Sequence, residues 1–149
     1  MPRRPSDVLA AGLAGAVVSG FPSTVWTLVE GDDPLDGARA LGRVLLPRSR
    51  STPLLLAAGA PVHLALSLGW AGVLGAALPP QAEPLTAALG GLAIAGLDLA
   101  LLGRFFPSIA ALPQGRQWAD HVAFGLSVGV VLRATRQADR RRAPRAPAR

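Results

Sequence analysis

The sequence predicts an all-α integral membrane protein, a bundle of four transmembrane helices with an interfacial amphipathic helix between spans 1 and 2. Half of the 149 residues are hydrophobic and only 16% are charged, which is more apolar than a soluble domain of this size. Several apolar segments approach or reach the ~20 residues that a helix needs to cross a bilayer. The 15 basic residues are all arginines, and they are concentrated near the ends of the chain.

Four segments are predicted to span the membrane, at about residues 8–29, 54–78, 85–102 and 117–132. The first three are long enough to cross a bilayer, and the fourth is short. Pro22 is expected to kink the first span, because proline has no N–H to donate to the preceding turn. Residues 1–132 are therefore predicted to form a single membrane domain, and residues 133–149 a basic, disordered cytoplasmic tail.

The arginine distribution predicts the orientation. Seven arginines follow Leu132, beside the single acid Asp139, and Arg3 and Arg4 precede the first span. Cytoplasmic segments carry an excess of basic residues, so both ends are expected in the cytoplasm, which agrees with an even number of spans. The abundance of Arg, Ala, Gly, Leu and Pro without any Lys indicates GC-rich coding, and hence a bacterial cytoplasmic membrane.

The connection between spans 1 and 2 has the pattern of a short amphipathic helix lying in the membrane interface. Asp33 is expected to cap it, Pro34 suits its first position, and Pro47 is expected to end it. Its apolar face carries Leu35, Ala38, Leu41 and Leu45. The simplest interpretation is a connector held down by apolar burial, and the alternative is a lid or a partner-docking helix.

Ionisable side chains inside the predicted spans form the candidate site. A carboxylate such as Asp98 costs roughly 2.5–3.5 kcal/mol at a helix centre, so it needs a partner. Asp98 and His121 fall at comparable depths, which predicts a hydrogen-bonded pair. His63 lies near the membrane midplane, and Ser67 follows one turn later on the same face. The candidate partners of this cluster are Arg104, Arg116, Asp120, Ser23 and Thr27.

Three interpretations fit this cluster. The polar groups hold helices together in a structural or accessory membrane protein. Alternatively, they line a water-filled cleft and exchange protons in a small oligomeric transporter or channel. In the third, the two histidines ligate a cofactor such as haem, but His63 and His121 differ in depth by about six residues, or ~9 Å, which disfavours this.

The sequence carries no motif of an enzyme, a metal site or a phosphate-binding loop. No catalytic residue, cofactor or metal ligand is therefore predicted. The expected partners are membrane lipid together with further copies of the chain or another membrane protein. Nucleic acid is not expected, because no aromatic residue is interleaved with the tail arginines.

Four segments together resemble a known group of proteins: HLALSLGW at 63–70, GLAIAGLDL at 91–99, RFFPSIAALP at 104–113 and HVAFG at 121–125. They are similar to uncharacterised short four-span bacterial membrane proteins, some of which carry the label of a sodium:proline symporter. The resemblance covers about residues 21–132. It implies a four-span membrane fold and brings no established active site with it.

Overall fold

The computed structural model describes residues 3–79 and 84–142. Within these ranges the chain folds into helices, and no strand is present, which confirms the all-α class. The helices are α1 (Pro5–Ser19), α2 (Phe21–Glu30), α3 (Asp36–Gly42), α4 (Thr52–Ala77), α5 (Pro84–Phe105), α6 (Pro107–Ala110) and α7 (Gln114–Arg142).

Three of the described helical segments are long and apolar enough to cross a membrane. They are Pro5–Glu30, which combines α1 and α2, Thr52–Ala77 and Pro84–Phe105. These segments match the first three predicted spans within a few residues, and they are consistent with a membrane protein. α7 does not meet the same criterion, because ionisable residues flank and interrupt its apolar middle.

The first span consists of two helices that meet at Gly20. Pro22 cannot donate a hydrogen bond to the carbonyl of Val18, and the Gly20 N–H binds that carbonyl instead. Asp120 of α7 accepts the Ser23 N–H at 2.8 Å. This carboxylate satisfies a donor in the first turn of α2 and lies at the positive end of that helix. The helix is therefore interrupted at Gly20, two residues before Pro22, where a kink was predicted.

Small residues let the helices approach closely. α7 packs along α5 and α1, and α1 packs along α4, whereas α4 and α5 make little backbone contact. A Cβ atom on Gly91 would lie 2.1 Å from the carbonyl oxygen of His121, and one on Gly125 would lie 2.3 Å from that of Ala87. The α5–α7 crossing thus brings backbone against backbone, as small residues allow in membrane helices. The wider separation of α4 and α5 leaves space inside the fold.

The connection between the first two spans contains the short helix α3, which packs on α4 through small residues. α3 buries Ala40 and Gly42, and Gly42 lies directly against the backbone of Leu55 in α4. Leu35 and Leu45 of the predicted apolar face are exposed on the protein. Small residues, by permitting backbone contact, decide which side of α3 packs, and the interfacial position of its leucine face remains a prediction.

Asp33 forms hydrogen bonds at the start of the connection, but it does not occupy the cap position directly before α3. Its carboxylate accepts the Leu35 N–H at 2.9 Å and pairs with Arg39 at 2.7 Å. The Leu35 hydrogen bond first, and then the Arg39 guanidinium, hold the pKa of Asp33 below its ordinary value. The helix itself begins at Asp36, with Leu35 before it, so the expected positions of Asp33 as the cap and Pro34 as the first helical residue were each two residues too early.

The C-terminal tail also differs from the prediction. α7 continues past Leu132 and remains helical through Arg142. Residues 133–142 are mostly Arg, Ala and Gln, which favour helix, and the first proline of the tail is Pro144. An ion pair of 3.1 Å between Arg4 and Asp139 joins this extension to the start of the chain. The prediction of disorder from residue 133 was wrong for this part, and residues 143–149 lie outside the described residues.

Candidate functional site

A cavity of about 760 Å³ lies among α2, α4, α5 and α7. Exposed residues of the 31–51 connection, including Asp33 and Asp36, line one end. Trp70 and Phe124 line the cavity within the bundle. The wall is mainly apolar with a few converging polar side chains, and the volume falls within the roughly 300–1,000 Å³ of small-molecule sites.

Asp98 and His121, the pair predicted from their depths, lie together in this wall. The Nε2 atom of His121 is 3.4 Å from Oδ2 of Asp98, and Trp70 Nε1–H donates to the same oxygen at 3.0 Å. The Nδ1–H of His121 donates to the carbonyl of Gln117 at 2.8 Å. Because a carbonyl only accepts, Nδ1 carries a proton, and a hydrogen bond to Asp98 requires one more between Nε2 and Oδ2.

A proton between Nε2 and Oδ2 would make this contact either an imidazolium–carboxylate hydrogen bond or a bond from a carboxylic acid to a neutral ring. At 3.4 Å the contact is long for an N–H···O hydrogen bond. Both side chains are mostly buried but remain partly accessible, since 19% of the His121 side chain and 13% of the Asp98 side chain is exposed. Both residues line the cavity, so a solute in the cavity would contact this pair.

His63 lines the same cavity without joining that pair. Its Nε2–H donates to the carbonyl of Ala16 at 2.9 Å, in the last turn of α1. The remaining ring nitrogen, Nδ1, is then an acceptor. Ser67, one turn further along α4, is buried and also lines the cavity. The predicted His63–Ser67 face is thus turned toward the cavity, but it is bonded to α1 rather than to Asp98.

Arg116 has different partners from those considered for it. It is buried, donates to Thr27 Oγ1 at 3.0 Å, and bonds the carboxylates of Glu30 and Asp32. These bonds hold the start of α7 against the end of α2. Arg116 is therefore paired with acids near the end of α2 and does not bond Asp98.

The two further candidate partners, Asp120 and Arg104, lie in different places. Asp120 lines the cavity and binds the N–H of Ser23. Arg104 is exposed at the end of α5 and is not among the cavity residues. Of the predicted cluster, the cavity therefore contains the two histidines, both span aspartates, Arg116, and the hydroxyl residues Ser23, Thr27 and Ser67.

Trp70 is the participant whose role sequence reasoning missed. It follows Ser67 by three residues, so its place on the same helix face was predictable. A buried indole N–H needs an acceptor, and the nearest carboxylate in a neighbouring span is Asp98. Among the described residues, no group of three or more His, Cys, Asp or Glu side chains is placed to hold a metal ion.

Comparison of the chain with protein-family models, with curated proteins and with solved structures finds no match. The resemblance to short four-span bacterial membrane proteins therefore remains a prediction. What is established is that the described residues are helical, that three of the helices are able to cross a membrane, and that a partly open, mainly apolar cavity with a few polar side chains lies among the helices.

Proposed function

We propose that this is a four-span integral membrane protein of the bacterial cytoplasmic membrane that carries a small solute in exchange for a proton, working as an oligomer. The observation that supports this most is the cavity of about 760 Å³, whose wall contains the paired side chains of Asp98 and His121. Ionisable residues are costly within a membrane, and they typically line solute or proton pathways. Histidine exchanges protons in the physiological range.

The packing of α7 supports a fourth span. The 16 residues between Arg116 and Arg133 extend ~24 Å at 1.5 Å per residue, shorter than the ~30 Å hydrocarbon core. A segment of this length crosses where the bilayer thins locally or flanking residues extend to the interface. Asp120 and His121 lower its average hydropathy, but they line the cavity. The surface left to lipid is therefore more apolar than the composition of the helix indicates. With four spans, both ends lie in the cytoplasm and the 31–51 connection lies outside.

Cysteine labelling tests this topology, because the chain has no native cysteine. Ser6, Gly37 and Ala138 are exposed, one in each relevant segment. In intact spheroplasts, we expect an impermeant maleimide to label Gly37→Cys, and to label Ser6→Cys and Ala138→Cys only after permeabilisation. If α7 did not cross, Ala138→Cys would react from the outside together with Gly37→Cys.

A structural or accessory role is the second candidate, and a specific observation favours it. Each main hydrogen bond of the cluster joins two helices: His63 binds α1, Asp120 binds α2, and Asp98 receives bonds from α4 and α7. Such bonds stabilise helix packing in lipid. In this role the protein would support a membrane partner, and the cavity would be a by-product of packing.

Proton movement in proteoliposomes tests the transport proposal against this alternative. A pH-sensitive dye is enclosed in the vesicles, and a gradient of a small solute is applied from outside. The solutes are 3-phenylpropyl compounds with a guanidinium, hydroxyl or sulfonate group, whose charges stay fixed near neutral pH. We expect at least one of them to drive proton movement in vesicles that contain the protein and not in empty ones. If none does, the transport proposal fails.

A further inference from the structure

We infer that the ligand of the cavity is a small organic cation with N–H donors and an apolar body, such as an amine or a guanidinium compound. This inference rests on the proposed function, since it names the class of solute that the same cavity takes. The polar atoms that remain available after the internal hydrogen bonds are formed determine which class of ligand the cavity can bind.

The atoms left available are mainly acceptors. In residues 3–79 and 84–142, every side-chain N or O atom without solvent access has a hydrogen-bond partner. The Nε2–H of His63 is used on Ala16, which leaves Nδ1 as an acceptor. Oδ2 of Asp98 receives both Trp70 and His121, which leaves Oδ1. Neither Nδ1 nor Oδ1 has a partner in the described part of the chain, so each retains some solvent access, and both residues line the cavity.

Ser67 is a second indication of a polar ligand. It is only 5% exposed and lines the cavity, and its Oγ has no hydrogen-bond partner among the described residues. A hydroxyl can donate or accept. With Oδ1 of Asp98 and Nδ1 of His63 both accepting, the set suits a ligand that brings its own N–H or O–H donors.

The charges of the cavity wall favour a cationic donor over a neutral or anionic one. The described side chains of the cavity wall include five aspartates and one arginine. Arg116 is committed to Glu30 and Asp32, and it lies toward the 31–51 connection. Asp33 and Asp36 pair with Arg39. The carboxylates of the described wall that are not paired with an arginine are therefore Asp98 and Asp120. These two would repel an anion and attract a cation.

The wall near Asp98 also suits an organic body rather than a bare metal ion. Trp70 and Phe124 line this part of the cavity, and aromatic faces attract cations. The remaining wall near Asp98 is aliphatic, with Leu66, Ile94, Leu99 and Leu102. An apolar group attached to the cation would therefore be buried against apolar side chains.

Binding of such a cation would displace the proton of the pair. A positive charge beside Asp98 repels an imidazolium at His121 and replaces it as the counter-charge of the carboxylate. The proton then leaves Nε2 of His121 for water, and the neutral ring remains. One proton is released for each cation bound, which couples the ligand to proton movement in the opposite direction.

Calorimetric titration of the purified protein in detergent at neutral pH tests the ligand class. The probes share a 3-phenylpropyl body and differ in the head group: guanidinium, trimethylammonium, hydroxyl or sulfonate. We expect the guanidinium compound to bind roughly tenfold or more tightly than the alcohol, the trimethylammonium compound to fall between them, and the sulfonate to give no heat of binding. Equal or tighter binding of the alcohol or the sulfonate overturns the inference, and so does a lack of guanidinium binding.

A pair of variants locates the binding group. Asp98→Asn keeps an oxygen that can accept from Trp70 but removes the charge, so we expect the affinity for the guanidinium compound to fall roughly tenfold or more. Asp139→Asn, on the tail extension of α7 and away from the cavity, should bind like the wild type. Unchanged affinity in folded Asp98→Asn would overturn the assignment. If Asp98→Asn does not fold, the order of the four probes on the wild type still decides.

The inference and the proposed function can fail separately. Guanidinium binding without proton movement in proteoliposomes would retain the ligand class and refute transport. Proton movement driven by the alcohol or the sulfonate, and not by the guanidinium compound, would retain transport and refute the ligand class.

Discussion

Replacing Gly91 with alanine is expected to lower the melting temperature of the purified protein sharply or to abolish its folded yield, and Gly125→Ala should have a similar effect. The added Cβ would lie 2.1 Å from the carbonyl oxygen of His121 for Gly91, and 2.3 Å from that of Ala87 for Gly125. Overpacking costs about 1–3 kcal/mol where side chains can adjust. Here the obstacle is backbone, so α5 and α7 must move apart.

Gly69→Ala is the matched control for this prediction. Gly69 also lies inside a membrane-spanning helix, but its added Cβ would meet no atom within 4 Å. Alanine favours helix over glycine by up to about 1 kcal/mol, so this variant should be as stable as the wild type or slightly more stable. Equal melting temperatures for Gly91→Ala and Gly69→Ala would show that α5 and α7 do not cross at Gly91.

The same crossing positions the site. The backbone of His121 is the part of α7 that touches Gly91, and the ring of His121 reaches Asp98 two turns further along α5. Forcing the helices apart would therefore lengthen the His121–Asp98 distance as well as reduce stability. Stability and the His121–Asp98 contact are therefore linked through this one contact between backbones.

Asp98→Asn is expected to abolish solute-driven proton movement in proteoliposomes while the protein remains folded. The amide oxygen can take the place of Oδ2 and still accept from Trp70 Nε1–H. Because Nε2 of His121 faces that same oxygen, the amide N–H cannot also donate to it. The α4–α5 bond therefore persists, and the exchangeable proton is lost. The measurement is the rate of internal pH change, with gel filtration and melting temperature to confirm folding.

Asp139→Asn is the matched control, since it removes a carboxylate from the tail extension of α7 and should transport like the wild type. Full proton movement in folded Asp98→Asn would contradict the role given to the pair. A large loss of yield and melting temperature in Asp98→Asn, beside a wild type that moves no protons, would instead support the structural role. The two candidate functions therefore predict opposite results for the same variant.

The helices and their approximate positions were predictable because lipid leaves a chain few choices. Backbone groups in a membrane must bond within the segment, so a long apolar run folds as a helix. Segments 54–78 and 85–102 accordingly match α4 and α5 closely. The pairing of Asp98 with His121 was predictable for a related reason, since depth in the membrane limits which polar groups can meet.

Other contacts depend on helix rotation and on small residues, which a hydropathy pattern does not reveal. Arg116 lies at a boundary with several acids within reach, and only the packing of α7 on α2 selects Glu30 and Asp32. α3 packs on α4 through Gly42, a side of the helix that its hydropathy pattern does not mark. The cavity itself arises from the wide separation of α4 and α5, which no local pattern encodes.

Thiol accessibility at position 67 tests the central claim, that the cavity is open to polar solutes and presents its polar wall to them. Ser67→Cys is a conservative change at a residue that lines the cavity and is only 5% exposed, whereas Ala71→Cys, one turn away, lies in the apolar core with 0% exposed. A positively charged methanethiosulfonate reagent should modify Ser67→Cys in the purified protein and leave Ala71→Cys unmodified. An unreactive Ser67→Cys, or equal reaction at both positions, would contradict an open cavity beside Asp98 and His121.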